Sequence, residues 1–96
     1  MNDPAITLID EGTHGEYVAR VADSSAVGRL TWIRRGEVLT TEHTLVPPEI
    51  GGRGIAAKLV EALVADAQAQ GWKIVPECSY VAAAFRRHPE WADLLA

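Results

Sequence analysis

The sequence has few of the residues that build disulfide scaffolds or basic surfaces. Its single cysteine, Cys78, cannot form an internal disulfide, which excludes a disulfide-rich secreted domain and predicts a reducing compartment. The chain has only two lysines and a formal net charge of -4, which argues against the basic surface that nucleic acid requires.

Long hydrophobic runs are missing as well. No apolar stretch approaches the roughly 18 residues that cross a bilayer. The first ten residues, MNDPAITLID, contain no basic segment followed by an apolar one, so no secretory signal is expected. We therefore predict a soluble, cytoplasmic protein with neither a membrane nor a nucleic acid as its partner.

The composition that remains is that of a globular protein. The chain is 48% hydrophobic and 23% charged over 96 residues, which predicts one domain over residues 1–96. In the first half, polar and apolar residues alternate, as at Tyr17, Ala19 and Val21, and this period of two indicates half-buried strands. Short turns between successive strands imply an antiparallel meander. The predicted strands are residues 5–10, 16–22, 26–34 and 38–46.

The second half has a helical period. Apolar residues such as Ile55, Leu59 and Leu63 recur at helical spacing, and Gly71 is the expected helix stop. A helix that links the fourth and fifth strands makes these strands parallel neighbours. The predicted fold class is therefore α/β, more strictly an α+β mixed sheet with a β-α-β-α segment after the meander. The predicted elements are helix 54–70, strand 72–76, and helix 78–87 with a short continuation over residues 91–95.

A glycine-rich turn, Pro47–Ala56 (PPEIGGRGIA), precedes the first helix. The first N–H groups of a helix have no partner within it and carry partial positive charge, so glycines there can form a phosphate cradle. The amides of residues 51–56 would supply the donors, and Arg53 would add a charge-assisted bond. The alternative is a tight strand-to-helix connection that binds nothing.

Two nucleotide motifs fit this turn poorly. A Walker loop requires Lys followed by Ser or Thr after its last glycine, and the turn has neither. Gly52-x-Gly54-x-x-Ala57 matches the loose Rossmann pattern, with Glu77 near the expected position of a ribose ligand. However, an antiparallel meander precedes the turn, and the chain is too short for two mononucleotide-binding halves.

The segment His43–Val60 resembles the acetyl-CoA loop of the GNAT N-acetyltransferase superfamily, and its small single-domain branch most of all. The superfamily pattern [Q/R]-x-x-G-x-[G/A] falls on Glu49-x-x-Gly52-x-Gly54. The segments Pro76–Val81 and His88–Trp91 are also similar to that branch. The resemblance covers about residues 38–95 by motif, and it implies a minimal acyl-CoA N-acyltransferase fold.

The resemblance also implies a cosubstrate, acetyl-CoA, and no metal. The amides of the turn would bind the pyrophosphate of CoA, and the pantetheine arm would pair with the exposed edge of the fourth strand. The acetyl thioester would then lie near the start of the second helix. The residues expected to contact CoA are Leu45, Val46, Gly51, Gly52, Arg53, Gly54, Ile55, Ala56 and Cys78.

Four residues are candidates for catalysis. His43 or Glu42 would take a proton from the amine, although a sheet histidine and a solvated glutamate are the simpler interpretations. Because consecutive strand residues face opposite sides, at most one of the two is expected in a given cleft. Cys78 would accept the acetyl group, or pack beside the thioester, or serve as a small buried apolar residue. Tyr80 would protonate the leaving thiolate, or belong to the core.

The sequence departs from the superfamily pattern at three positions. Glu49 replaces Gln or Arg, Leu45 replaces an acidic residue, and Gly51 replaces an arginine that is frequent in the small branch. The sequence also ends after the second helix, so the acceptor site is expected to be open or completed by another chain, as in a homodimer. The predicted function is acetyl transfer to an amine on a small molecule or polypeptide. The alternatives are a non-catalytic acyl-CoA-binding or interaction module and, third, a purely structural domain.

Overall fold

A five-stranded mixed sheet with the strand order β1-β2-β3-β4-β5 organises the molecule. The computed structural model describes residues 3–96. The first four strands are antiparallel, and β5 pairs parallel to β4, as predicted. The predicted fold class is thereby confirmed. The elements are β1 (Ala5–Asp10), β2 (His14–Arg20), β3 (Val27–Arg35), β4 (Val38–Leu45), a short 3-10 turn (Pro48–Ile50), α1 (Ile55–Gln70), β5 (Lys73–Pro76), α2 (Ser79–Arg87) and a second 3-10 segment (Pro89–Leu94).

The boundaries differ from the prediction mainly at β2. This strand begins at His14 rather than at residue 16, because the N–H of Glu11 donates to the carbonyl of His14 at 2.9 Å and closes the β1–β2 hairpin. The helix α1 ends where it was predicted, with Gly71 in the left-handed conformation and its N–H bonded to the carbonyl of Ala67.

Both helices pack against the same face of the sheet. On this face the fully buried side chains of β2, β3 and β4 meet those of α1 and α2 in one hydrophobic core. The opposite face, here called the open face, carries no helix within residues 3–96. Ile33 on this face is 44% exposed and Leu45 is 58% exposed. The strand pairing gives the open face Ile9, Glu16, Val18, Arg29, Thr31, Ile33, His43 and Leu45.

Arg34 joins two of the tryptophans. Its guanidinium carbon lies 5.0 Å from the ring centroid of Trp32 and 4.9 Å from that of Trp72, and a guanidinium nitrogen lies 3.3 Å from the carboxylate of Asp10. Trp32 is fully buried, and Trp72 and Trp91 pack partly buried against the core. The prediction that the tryptophans are core or cover aromatics is therefore confirmed.

Of the glycines, Gly15 is the one where an added Cβ would meet the closest neighbours, and its replacement tests the fold. A Cβ at this position would overlap the carbonyl oxygen of Ile9 and the indole ring of Trp32. We expect Gly15→Ala to lower the free energy of unfolding by about 1–3 kcal/mol, the usual cost of overpacking. Thermal unfolding measures this loss.

Gly51→Ala is the matched control for this substitution. Gly51 has a φ of -68°, and a Cβ there would meet only ordinary contacts, the nearest at 3.4 Å. We expect the Tm of the Gly51→Ala variant to stay close to that of the unmodified protein. Equal Tm values for the two variants would contradict the close approach at Gly15.

Candidate functional site

The strands β4 and β5 separate halfway along β4. They pair only over Val38–Thr41, after which β4 continues to Leu45 while the chain beyond Pro76 turns into α2. The N–H of Cys78 donates to the carbonyl of Thr41 at 3.0 Å and marks the point of separation. Beyond it, this edge of β4 has no neighbouring strand within residues 3–96. The result is an opening between the edge of β4 and the start of α2.

A β-bulge lies at the same point of β4. Thr31 is opposite His43, whereas the next residue, Trp32, is opposite Thr41, so Glu42 is the extra residue. The predicted alternation of Glu42 and His43 is therefore interrupted, and both side chains are exposed. Because of the bulge, Thr44, the residue after His43, lies opposite Leu30 on the face that the helices cover.

Cys78 and Thr44 meet across the opening. The Sγ atom of Cys78 lies 3.3 Å from the Oγ1 atom of Thr44, and Cys78 is 8% exposed at the residue before α2 begins. Burial raises the pKa of the Cys78 thiol, but the Thr44 hydroxyl and the backbone groups of Val81 and Tyr80 outweigh it and hold that pKa below its usual range. The Cys78 thiol therefore loses its proton at a lower pH than an ordinary cysteine does.

Thr44 is the residue that sequence reasoning missed. A threonine in a β-branched strand predicts only strand structure. Its contact with Cys78 depends on the bulge, since the bulge shifts the alternation by one residue. The signal in the sequence is weak: a hydroxyl residue on the strand that leads into the glycine-rich turn.

Removing the Thr44 hydroxyl should shift the titration of Cys78. In Thr44→Val the thiolate loses a hydrogen-bond donor, so its pKa rises and less thiolate is present at neutral pH. We expect the midpoint of the thiolate ultraviolet absorbance, and of the pH–rate profile for alkylation, to move to higher pH. The single cysteine of the chain makes both signals specific to this site.

Two further variants control this measurement. Thr44→Ser keeps the hydroxyl and should restore the midpoint. Thr40→Val changes a half-buried threonine of β4 that pairs with Ile33 and Val75, on the far side of the point of separation. A midpoint that is unmoved in Thr44→Val, or moved equally in Thr40→Val, would contradict the role of the hydroxyl.

The glycine-rich turn connects β4 to α1 next to the opening. The buried side chain of Ile50 anchors it, while residues 51–54 are exposed. Gly52 and Gly54 both have a φ of +74°, a left-handed conformation that favours glycine, and a Cβ on either would meet no atom within 4 Å. This conformation leaves open space beside the backbone of the turn.

The N-terminus of α1 keeps its positive character. Gly54 is the N-cap residue, no side chain of residues 3–96 caps the helix, and its first turn contains no acidic residue. Within this part of the chain, the first amides of α1 and the partial positive charge of the helix end therefore have no compensating group. A bound anion would satisfy both.

A family model described as GCN5-related N-acetyl-transferase matches residues 16–94 of the 96-residue chain. The chain belongs to this family. The match includes the glycine-rich turn and the Cys78 segment, on which the resemblance was based, and extends it back into β2.

Within this N-acetyltransferase fold, the predicted residues do not all lie together. Cys78 and Leu45 border the opening, together with the turn. Glu42 and His43 lie on the side of the open face, where Glu42 lines a cavity with Glu16. Other predicted positions are Val46, partly buried against the core, and Ile55 and Ala56, which open α1.

Tyr80 lies between the two helices, apart from Glu42 and His43. Its half-buried side chain lines a small cavity between α1 and α2 with Ala57 and Arg87. This position follows from the helical geometry of α2, which turns residue 80 toward α1. Tyr80 therefore borders the groove between the helices of the N-acetyltransferase fold.

Arg53 is engaged elsewhere. Its guanidinium donates two hydrogen bonds to the carboxylate of Asp23, at 2.8 Å and 3.1 Å, and this contact lowers the pKa of Asp23. The side chain is thus held toward the β2–β3 turn. The donors that remain at the glycine-rich turn are backbone amides.

Neither a metal site nor a membrane-spanning helix is found among residues 3–96. No group of three or more His, Cys, Asp or Glu residues among residues 3–96 could hold a metal ion. None of the helices formed by these residues has the length and apolar character needed to cross a membrane.

Proposed function

We propose that the protein binds acetyl-CoA in the opening between β4 and α2 and transfers the acetyl group to an amine. One observation carries this proposal. The edge of β4 that has no strand partner among residues 3–96 begins where Cys78 bonds to Thr41 and ends at the glycine-rich turn that leads into α1. An extended ligand with an anion at one end and a thioester at the other fits this arrangement.

Backbone groups suit the binding of CoA. The amides of residues 52–56 would donate to the pyrophosphate, with the space beside Gly52 and Gly54 left open for it. The N–H of Gly51 instead donates to the carbonyl of Pro48 at 3.1 Å. The amide groups of the pantetheine arm would pair with the edge of β4 at Leu45 and Val46, as an added strand does. This mode of binding does not depend on Arg53, whose side chain is paired with Asp23.

The chemistry would take place at Cys78. In a covalent route, the thiolate sulfur bonds the acetyl carbon, the C–S bond to CoA breaks, and its electron pair leaves with the CoA sulfur. An amine then displaces the acetyl group from Cys78 and regenerates the thiolate. In the direct route the amine attacks the CoA thioester and Cys78 packs beside it. In either route Glu42 or His43 accepts the proton of the amine, and Tyr80 is a candidate to protonate the CoA thiolate.

A non-catalytic acyl-CoA-binding or interaction module is the second candidate function. It is favoured by the exposure of both candidate bases, Glu42 and His43, and by the open face, which has no cover among residues 3–96. In that case acetyl-CoA would bind without turnover. A cytoplasmic location is expected for both functions.

Two measurements distinguish these functions. We expect calorimetric titration with acetyl-CoA to give heat and a raised Tm, and the absence of both at millimolar ligand would contradict CoA binding altogether. Release of CoA across a panel of amines then separates an enzyme from a binding module, with His43→Ala as a variant of one candidate base. Binding without release would favour the module.

A further inference from the structure

An ion pair outside the CoA opening engages the tip of the glycine-rich turn, residues 51–54. Arg53 is the one residue of the tip that has a side chain. Its guanidinium donates to both carboxylate oxygens of Asp23, at 2.8 Å and 3.1 Å, and Asp23 lies 30 positions earlier, in the β2–β3 turn. Among residues 3–96, Asp23 is therefore the group to which the tip is bonded through a side chain.

The two turns lie at the same end of the sheet. Leu45, the last residue of β4, pairs with Arg29 near the start of β3, so the β2–β3 turn and the glycine-rich turn are neighbours. Arg53 directly precedes Gly54, the N-cap of α1, and the amides that follow are the proposed donors to the pyrophosphate. Without Asp23, the guanidinium of Arg53 would be the charged group of the tip beside that phosphate.

Arg53 is not packed in place. Its side chain is 41% exposed, and that of Asp23 is 63% exposed. It lines a cavity of about 480 Å³ with Val21, Ile55 and Lys58, so it has room to move. Ion pairs between exposed side chains are weak, because water screens both charges. A second anion can therefore displace Asp23 from Arg53.

Pyrophosphate suits the guanidinium of Arg53 at least as well as Asp23 does. It carries more negative charge than one carboxylate, and the arginine fork binds phosphate oxygens in the same bidentate way. Asp23 and the pyrophosphate of CoA therefore need the same guanidinium. A binding group that is free for only part of the time lowers the apparent affinity by that fraction.

We propose that Asp23 is an intramolecular competitor of acetyl-CoA, because it holds Arg53 at the β2–β3 turn and withholds its charge from the pyrophosphate. The proposal rests on the proposed binding of acetyl-CoA at the glycine-rich turn. Asp23 sets the affinity for the cosubstrate from outside the opening. In the unmodified protein the amides of the turn bind the pyrophosphate, and Arg53 adds its charge only when Asp23 releases it.

Calorimetric titration with acetyl-CoA tests the competition. Asp23→Asn should lower Kd roughly fivefold, about the largest factor that an exposed ion pair contributes, because Arg53 becomes free. The gain should shrink as salt is added, since salt screens the freed charge. Arg53→Gln should change Kd little by itself, but the double variant Asp23→Asn/Arg53→Gln should lose the gain of Asp23→Asn.

Asp3→Asn is the matched control. Asp3 lines the same cavity and carries the same charge, but it forms no ion pair with any other of residues 3–96. Its replacement should leave Kd unchanged, which separates the release of Arg53 from a general change of charge. Thermal melts confirm that each variant is folded.

Nuclear magnetic resonance of the arginine side chains gives a second readout, without ligand. The Nε–H signal of Arg53 is assigned by its loss in Arg53→Gln. It should shift in Asp23→Asn, where the ion pair is lost, and stay in place in Asp3→Asn. An unshifted signal in Asp23→Asn would show that Asp23 does not hold Arg53.

The titrations can also contradict the proposal. An unchanged Kd in Asp23→Asn, an equal change in Asp3→Asn, or a gain that persists in the double variant would exclude the competition. Weaker binding in Asp23→Asn would mean that the ion pair positions the turn for the ligand instead. Heat with the unmodified protein makes each of these a failure of the competition alone, whereas no heat with any variant overturns the proposed function as well.

Discussion

Gly54→Val is expected to abolish the binding of acetyl-CoA, raising Kd by at least about 100-fold. The left-handed φ of +74° at Gly54 is strained for a β-branched residue, so the chain around the N-cap of α1 must move. Two amide-to-phosphate hydrogen bonds, each worth about 1.5–3 kcal/mol, would account for this loss. Calorimetric titration of the variant with acetyl-CoA measures it directly.

Gly36→Val is the matched control for this experiment. Gly36 also has a left-handed conformation, with a φ of +59°, and also faces open space, but it lies in the β3–β4 turn. The Gly36→Val variant should lose about as much stability as Gly54→Val but keep its affinity for acetyl-CoA. An equal loss of binding in Gly36→Val would mean that the effect of Gly54→Val is general destabilisation.

Glu49→Gln tests the charge of the same turn. Because it removes a negative charge beside the proposed pyrophosphate site, we expect it to preserve or improve the binding of acetyl-CoA.

In the covalent route Cys78 is the nucleophile, so Cys78→Ala is expected to reduce the rate of acetyl transfer by roughly 100-fold or more. Its affinity for acetyl-CoA should change little, because the proposed binding rests on the turn and on the edge of β4. The rate of CoA release under saturating acetyl-CoA separates these two effects.

Mass spectrometry decides how Cys78 acts. After incubation with acetyl-CoA, the covalent route predicts one added acetyl group on Cys78, the chain's single cysteine. An unmodified chain that turns over would assign Cys78 to packing beside the thioester. Full activity in Cys78→Ala would remove it from the chemistry altogether.

The order of elements could be predicted because its signals are local. The alternation at Tyr17 and Ala19 and the helical spacing of Ile55, Leu59 and Leu63 each lie within one element. The parallel pairing of β4 with β5 followed from the helix between them. Gly71 stopped α1 where expected, because a left-handed residue at a helix C-terminus is a backbone requirement that the sequence displays.

The details of the candidate site depend on contacts between distant segments, which local patterns do not contain. The bulge at Glu42 arises from pairing with β3, and it both interrupts the predicted alternation and brings Thr44 to Cys78. Arg53 was expected to face a phosphate, but its charge is bound by Asp23 in another turn. Neither partner could be identified from spacing in the sequence.

The edge of β4 beyond Thr41, which has no strand partner among residues 3–96, also has a consequence for association. A free strand edge is a template for strand addition, and the neighbouring Leu45, 58% exposed, adds apolar surface. A second copy of the chain could pair with this edge in the way proposed for the pantetheine arm. Self-association and the proposed occupancy by acetyl-CoA would then be mutually exclusive, so we expect acetyl-CoA to keep the protein monomeric if it binds at this edge.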